Sequence, residues 1–130
     1  MLKVDIGLIG LAVMGQNLAL NMNDHGFTVA VFNRSVTRVD EFLAGSAKGT
    51  KIIGAHSIEN LVAGLRLPRR VMMMVKAGDA VDSLIEQLLP HLSPGDILID
   101  GGNELFTNTS RRALELASQG ILYVGTGISG

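Results

Sequence analysis

Cysteine is absent from the 130 residues, which excludes disulfides and thiolate metal sites and suits a reducing compartment, with the cytoplasm as the expected location. No sign of charge predominates. With 11 basic residues against 12 acidic ones, the chain lacks the positive field that would hold a nucleic-acid backbone or an anionic membrane non-specifically, so any anion site must be local. Long apolar runs are missing as well: the N-terminal stretch carries Lys3 and Asp5 and is broken by Gly7, Gly10 and Gln16. Neither a signal peptide nor a transmembrane segment is expected. There is no low-complexity tract and no internal repeat, and the length suits one domain with a core of its own.

What the chain does have is alternation. Short Val- and Ile-rich runs at 3–9, 28–32, 51–53, 70–75, 97–100 and 121–124 read as strands, and their nearly continuous hydrophobicity predicts a sheet covered on both faces. Amphipathic stretches at 14–24, 36–44, 57–64, 79–89 and 107–118 read as helices. The fourth places Val81, Leu84, Ile85, Leu88 and Leu89 at helical spacing, with Asp79 and Asp82 in its first turn. Gly26 and Gly120 stand where left-handed helix caps are wanted, while Pro68 and Pro94-Gly95 punctuate loops. This order predicts repeated βαβ units, hence an α/β fold with a parallel sheet.

The first strand runs into Gly10-Leu11-Ala12-Val13-Met14-Gly15, a G-x-A-x-x-G turn that opens a helix. Small residues at this spacing let the backbone approach a pyrophosphate at the helix N-terminus. Gly10 permits the tight turn, Ala12 takes the close-approach position and Gly15 lets the helix pack on the sheet. A glycine turn serving packing alone is the competing reading, and the strand-turn-helix context favours the functional one.

The second strand ends in Phe32-Asn33-Arg34-Ser35, where an NAD site usually carries a carboxylate for the ribose hydroxyls. With no carboxylate there and a guanidinium beside an amide and a hydroxyl, the strand end favours NADP over NAD. The competing reading is a solvated arginine ahead of a helix capped by Ser35.

The three histidines, His25, His56 and His91, form no metal-spacing pair and are read as structural or surface residues, with His25 at a helix end and Ser57, after His56, as a helix cap. Met72, Met73 and Met74 read as core filling. Arg69-Arg70 and Arg111-Arg112 read as solvated charges, too few for a nucleic-acid patch.

Essentially the whole chain resembles the N-terminal coenzyme domain of the decarboxylating 6-phosphogluconate dehydrogenases. The resemblance is carried by DIGLIGLAVMGQNLALNMNDHGF, VFNRS, KGTKIIGAHS, the PRRV and MVKAG segments, DILIDGGN and GILYVGTGISG. GLAVMG alone would admit the wider β-hydroxyacid dehydrogenases. NMNDHGF, VFNRS and GAHS point more narrowly.

The resemblance implies a Rossmann-type doubly wound, mostly parallel sheet with helices on both faces, over residues 1–130. It also implies a helical substrate and dimerisation domain beyond this chain, and a homodimeric full-length protein. It assigns the pyrophosphate to residues Gly10, Leu11, Ala12, Val13, Met14 and Gly15, and the 2′-phosphate of NADP to Asn33, Arg34 and Ser35, the last usually threonine in the family. Val75, Lys76 and Ala77 would run beside the nicotinamide-side ribose, with Lys76 contributing backbone rather than acting as a base. Asn103 would stand between nicotinamide and sugar, where its amide offers both donor and acceptor. Ser129 and Gly130 would begin the substrate loop, and the family's catalytic groups would lie past residue 130, leaving none to be named here.

Two positions depart from the family. Glu104 stands where a serine is usual, and Asn108 replaces an aspartate before Thr109; a carboxylate at 104 would repel an anionic sugar phosphate unless turned away. The expected function is therefore the NADP-binding part of an enzyme that oxidises and decarboxylates 6-phosphogluconate to ribulose 5-phosphate, in the pentose phosphate pathway. By itself this part would bind nucleotide without turnover. A non-catalytic NADP-binding module and a sibling β-hydroxyacid dehydrogenase with another substrate are the alternatives.

Overall fold

The computed structural model describes residues 3–102 and 106–125, with the side chains of 106 and 107 left aside. Strand β1 (Ile6–Ile9) leads into helix α1 (Val13–Asp24), then β2 (Val29–Phe32), α2 (Val36–Ala44), β3 (Ile53–Gly54) and α3 (Ile58–Ala63). The second half runs β4 (Arg70–Met73), α4 (Asp79–Leu88), a short 3-10 turn (Leu89–His91), β5 (Ile97–Asp100), α5 (Phe106–Ala117) and β6 (Leu122–Gly125). Every neighbouring pair of strands is parallel, and the order across the sheet is β3-β2-β1-β4-β5-β6. The chain moves outward from β1 to β3, returns through α3, and moves outward again from β4. Right-handed crossovers in opposite directions put helices on opposite faces.

Strand periodicity divides the core accordingly. Leu8, Val29, Val31 and Met72 point to one face and pack with Leu11 and Ala19 near α1, and with Val39 and Phe42 of α2. Ile9, Ala30, Val71, Met73 and Leu98 point to the other, against Leu61 and Val62 of α3, Val81 to Leu88 of α4 and Leu116 of α5. The methionines thus fill core on both faces.

The expected coverage of both faces holds for the middle of the sheet and fails at one corner. On the α1 side of β5 and β6, Ile97 and Ile99 are half-buried while Leu122 is 57% exposed and Val124 39%. No described helix crosses there.

β2 and β6 differ from their expected bounds by a single residue, while β1, β3 and β4 differ by two or more, each for a local reason. β1 begins at Ile6 because Asp5 and Thr28 bond each other through main chain and side chain, with Thr28 N–H donating to Asp5 Oδ2 at 2.9 Å and Asp5 N–H to Thr28 Oγ1 at 3.0 Å. β3 is displaced to Ile53–Gly54 because the Thr50 hydroxyl accepts the Ile52 N–H at 3.2 Å, holding 50–52 in a turn. β4 stops at Met73, after which Met74 N–H donates to Ile9 O at 2.7 Å and the chain bends away.

Helix ends follow the sequence more closely. Ser57 caps α3, its side chain accepting from Asn60 N–H at 3.0 Å. Ser35 occupies the cap position of α2 without a side-chain cap bond. Gly26 and Gly120 take positive φ after α1 and α5. His25 closes α1 with Nδ1 2.8 Å from Asn21 O, and His56 pairs with Asp40 at 2.8 Å, both on the surface.

The expected solvation of the arginine pairs is overturned for one member of each. Arg112 is buried, with 2% of its side chain exposed, because Asp82 reaches it across α4 and α5. Arg69 pairs at 3.0 Å with Asp96, itself buried, where β4 and β5 begin. Arg111 stays half-exposed between Asp82 and Glu115.

Candidate functional site

Ligands in open parallel sheets occupy the crevice beyond the strand C-termini where the connections reverse direction. Here that point lies between β1 and β4, which pair from Gly7 with Val71 to Ile9 with Met73. A cleft of about 870 Å³ opens there, walled by the loop after β1, the end of β2 with the start of α2, the loop after β4, and α4.

The β1–α1 loop owes its shape to two glycines. Gly10 has φ +108°, and a Cβ there would run into the carbonyl of Met74. A Cβ on Gly15 would run into the carbonyl of Gly10, so α1 sits directly on the turn that feeds it. Its N-terminus is bare: Ala12 is the cap position, no side chain caps it, and the first turn holds no acid. The leading amides of a helix have no partner within it and carry the positive end of its dipole. By contrast the first turn of α4 contains Asp79 and Asp82, which already answer that helix's dipole. Of the two helix starts beside the cleft's centre, α1 is the one prepared for an anion.

The residues singled out from sequence divide into three groups. Gly10, Leu11, Ala12, Asn33, Arg34, Val75 and Lys76 line the cleft. Val13 and Met14 open α1 with exposed side chains, Gly15 is buried beneath the turn, Ser35 starts α2, and Ala77 is half-buried ahead of α4. Asn103, Glu104, Ser129 and Gly130 lie outside the described residues. Asn108 lies in α5, half-buried.

Two cleft residues act first on their own chain. Leu11 buries its side chain completely, donates its N–H to Asn33 Oδ1 at 2.8 Å and accepts at its carbonyl from Gln16 Nε2 at 2.8 Å. Asn33 also donates from Nδ2 to Ser35 O at 3.1 Å. One side-chain amide therefore ties the glycine turn to the start of α2 and fixes Arg34 relative to both.

Sequence reading missed Arg38. It stands in the first turn of α2 and lines the same cleft as Arg34, and no acidic side chain pairs with either among the described residues. A cation at a helix N-terminus is unfavourable by about 0.3–1 kcal/mol against the dipole, and two beside an uncapped helix make sense around an anion. The signal was present: two arginines four apart across a helix start with no carboxylate between them.

The far wall is the face of α4 bearing Ala80, Ser83, Leu84 and Gln87, with Ile58 of α3. A mixed apolar and hydrogen-bonding wall of this kind suits a flat heteroaromatic ring. Among the described residues there is no group of three or more metal-ligating side chains.

A doubly wound sheet with a bare helix start at its switch point and a cationic second strand end defines a Rossmann-type domain of the dinucleotide-binding class. Residues 5–130 match the family model for the NAD binding domain of 6-phosphogluconate dehydrogenase, and the chain belongs to that family. It is 64% identical over 126 residues to the decarboxylating 6-phosphogluconate dehydrogenase of Cunninghamella elegans, covering 97% of this chain and 26% of that one. To the enzyme of the same name from Caenorhabditis elegans it is 62% identical over 130 residues, covering 100% and 27%. Among solved structures, Plasmodium falciparum 6-phosphogluconate dehydrogenase, determined apo, with its cofactor NADP+ and with its substrate 6-phosphogluconate, superposes with a TM-score of 0.85 at 43% identity. That match covers 92% of this chain and 26% of the other. The chain spans about a quarter of the length of these relatives.

Proposed function

We propose that the cleft binds NADP and that this chain is the coenzyme-binding part of an enzyme that oxidises and decarboxylates 6-phosphogluconate to ribulose 5-phosphate. The observation that carries the reading is the meeting on one cleft of the bare α1 N-terminus with Arg34 and Arg38, which pair with no acidic side chain among the described residues. The amides at Ala12, Val13 and Met14 receive the pyrophosphate, Gly10 and Gly15 holding the turn in place. Arg34 and Arg38, with the Ser35 hydroxyl, receive the 2′-phosphate, and Asn33 holds that strand end in register. The adenine lies against Ala80, Ser83 and Leu84 of α4, and the nicotinamide half extends past Val75 and Lys76 towards the turn after β5. When bound, the nicotinamide supplies a hydride acceptor, while the protein orients it and keeps competing reactions away.

Asn103, Ser129 and Gly130 are proposed as the chain's contacts with substrate. Membership of a dimer, a cytoplasmic setting and a helical partner domain belong to the same proposal, which family membership and similarity to the full-length relatives support. The test is calorimetric titration of this chain with NADP+ and NAD+, before and after Arg34→Ala. NADP+ binds more tightly to the unaltered chain, and the substitution weakens NADP+ by about ten- to a hundredfold, the effect of one charge-assisted contact, while sparing NAD+. An unchanged affinity ratio would refute the role of Arg34.

A further inference from the structure

Arg112 is among the largest fully buried side chains of the protein, and burying a guanidinium is costly unless its donors are matched. Its Nε donates to Asp82 Oδ1 at 2.8 Å and its Nη2 to the Gly78 carbonyl at 3.2 Å. Gly78 is the cap residue of α4, at φ +94°, and ends the loop that carries Val75 and Lys76 into the cleft. The positive guanidinium also lies close enough to the Tyr123 hydroxyl of β6 to act on it electrostatically. That hydroxyl donates to Asp100 Oδ2 at 2.7 Å, and Asp100, 1% exposed at the end of β5, accepts the Gly102 N–H on Oδ1 at 3.0 Å. Arg112 thus ties the β4–α4 turn to α5, and Tyr123 ties the turn after β5 to β6, the strand on which α5 packs.

The two turns it joins already touch. Gly101 N–H donates to Met73 O at 3.0 Å, and a Cβ on Gly102 would stand 3.0 Å from Val75 O. Burial and the Asp100 contact push the Tyr123 phenol well above its ordinary range, so it stays a neutral donor. Hydrogen bonding from Arg112 holds the Asp82 carboxyl below its usual value, so it stays an anion. The phenol therefore stays a donor to Asp100, and Asp82 an anionic acceptor for Arg112, across physiological pH. Well-packed apolar groups would serve stability as well as a buried ion pair does, but they would not fix the separation of two turns by directed bonds.

We propose that Arg112 and Tyr123 are positioning residues, Arg112 holding the β4–α4 turn and Tyr123 the turn after β5 that packs on it, and that together they shape the nicotinamide half of the cleft, a role that rests on the NADP reading above. The 2′-phosphate end of the coenzyme lies across the switch point, at Arg34 and Arg38; the adenine shares α4 with the Arg112 bonds, whereas Tyr123 bonds only the β5 side.

The test compares two probes on this chain, NADP+ and 2′,5′-ADP, which carries the adenosine and the 2′-phosphate without the nicotinamide. Tyr123→Phe removes one hydroxyl and keeps the ring; Arg112→Met keeps length and loses the donors. Tyr123→Phe weakens NADP+ by roughly three- to tenfold, the effect of one net hydrogen bond, and leaves 2′,5′-ADP affinity within about twofold. Arg112→Met, which also frees the start of α4 beneath the adenine, weakens both probes and NADP+ the more, whatever its melting temperature. Equal weakening of both probes, or no change in either, would overturn the positioning role and leave it as ordinary core stability. Failure of the unaltered chain to bind 2′,5′-ADP would instead overturn the NADP reading on which it rests.

Discussion

Replacing Gly15 by alanine sets two physical effects of opposite sign against each other at one atom. In an ordinary helix interior the change gains up to about 1 kcal/mol, because alanine loses less backbone entropy on folding. Here the new methyl would be driven into the Gly10 carbonyl, which belongs to the backbone and cannot rotate aside. Overpacking costs about 1–3 kcal/mol where side chains can yield, and a fixed carbonyl belongs at the top of that range. A net loss of about 2 kcal/mol is expected. The same displacement lifts α1 off the turn, so its amides move away from a bound pyrophosphate and NADP+ affinity falls together with stability. Gly64→Ala supplies the control: Gly64 has φ −84° at the end of α3, and an added Cβ would find its nearest neighbours at an ordinary 3.8 Å. Urea denaturation followed by circular dichroism reads both variants. A Gly15→Ala chain as stable as Gly64→Ala, with NADP+ affinity intact, would refute the close contact between helix and turn.

Acid should destabilise the protein partly through Asp5, whose carboxyl is held below the usual aspartate range by the Thr28 N–H. A depressed carboxylate adds stability that is complete above its unfolded value, near about pH 4, and is lost as pH falls through its folded value. Denaturation midpoints from neutral pH down to pH 3 should therefore fall less steeply for Asp5→Asn than for the unaltered chain; parallel acid limbs would contradict this. Asp96 accepts from Arg69 N–H, Ser93 N–H and Arg69 Nη1 at 2.8, 2.8 and 3.0 Å. Asp96→Ala strands all three donors and should cost about 3–5 kcal/mol, with Asp96→Asn costing less because one acceptor remains. Equal stability of the two variants in urea would show that the acceptor is immaterial.

Element order was legible because each strand is a short apolar run closed by glycine, proline or a polar turn, and α4 displays its buried stripe at full helical period. The glycine turn was legible for the same reason: small residues next to a strand end have few other uses. Boundaries were harder wherever a hydroxyl or carboxylate competes with the sheet for main-chain donors, as Asp5, Thr28 and Thr50 do. The burial of Arg112 and the pairing of Arg69 with buried Asp96 were not legible at all, since the partners Asp82 and Asp96 lie 30 and 27 residues away and only the packed sheet brings them together. Asn33 shows the same limit inside the site. Its sequence position pointed to ligand, and nothing in that position announced that its amide also bridges the glycine turn and the start of α2.

The central claim is that bare amides at the start of α1 hold a diphosphate while guanidinium groups at the end of β2 hold a further phosphate. Amide resonances of an isotope-labelled chain, followed through a titration with NADP+, address it most directly. The account predicts the largest shifts at Ala12, Val13 and Met14 and at Arg34 and Ser35, with NAD+ reproducing the first set and leaving the second nearly still. Unmoved amides at residues 12–14 in a chain saturated with NADP+ would contradict it.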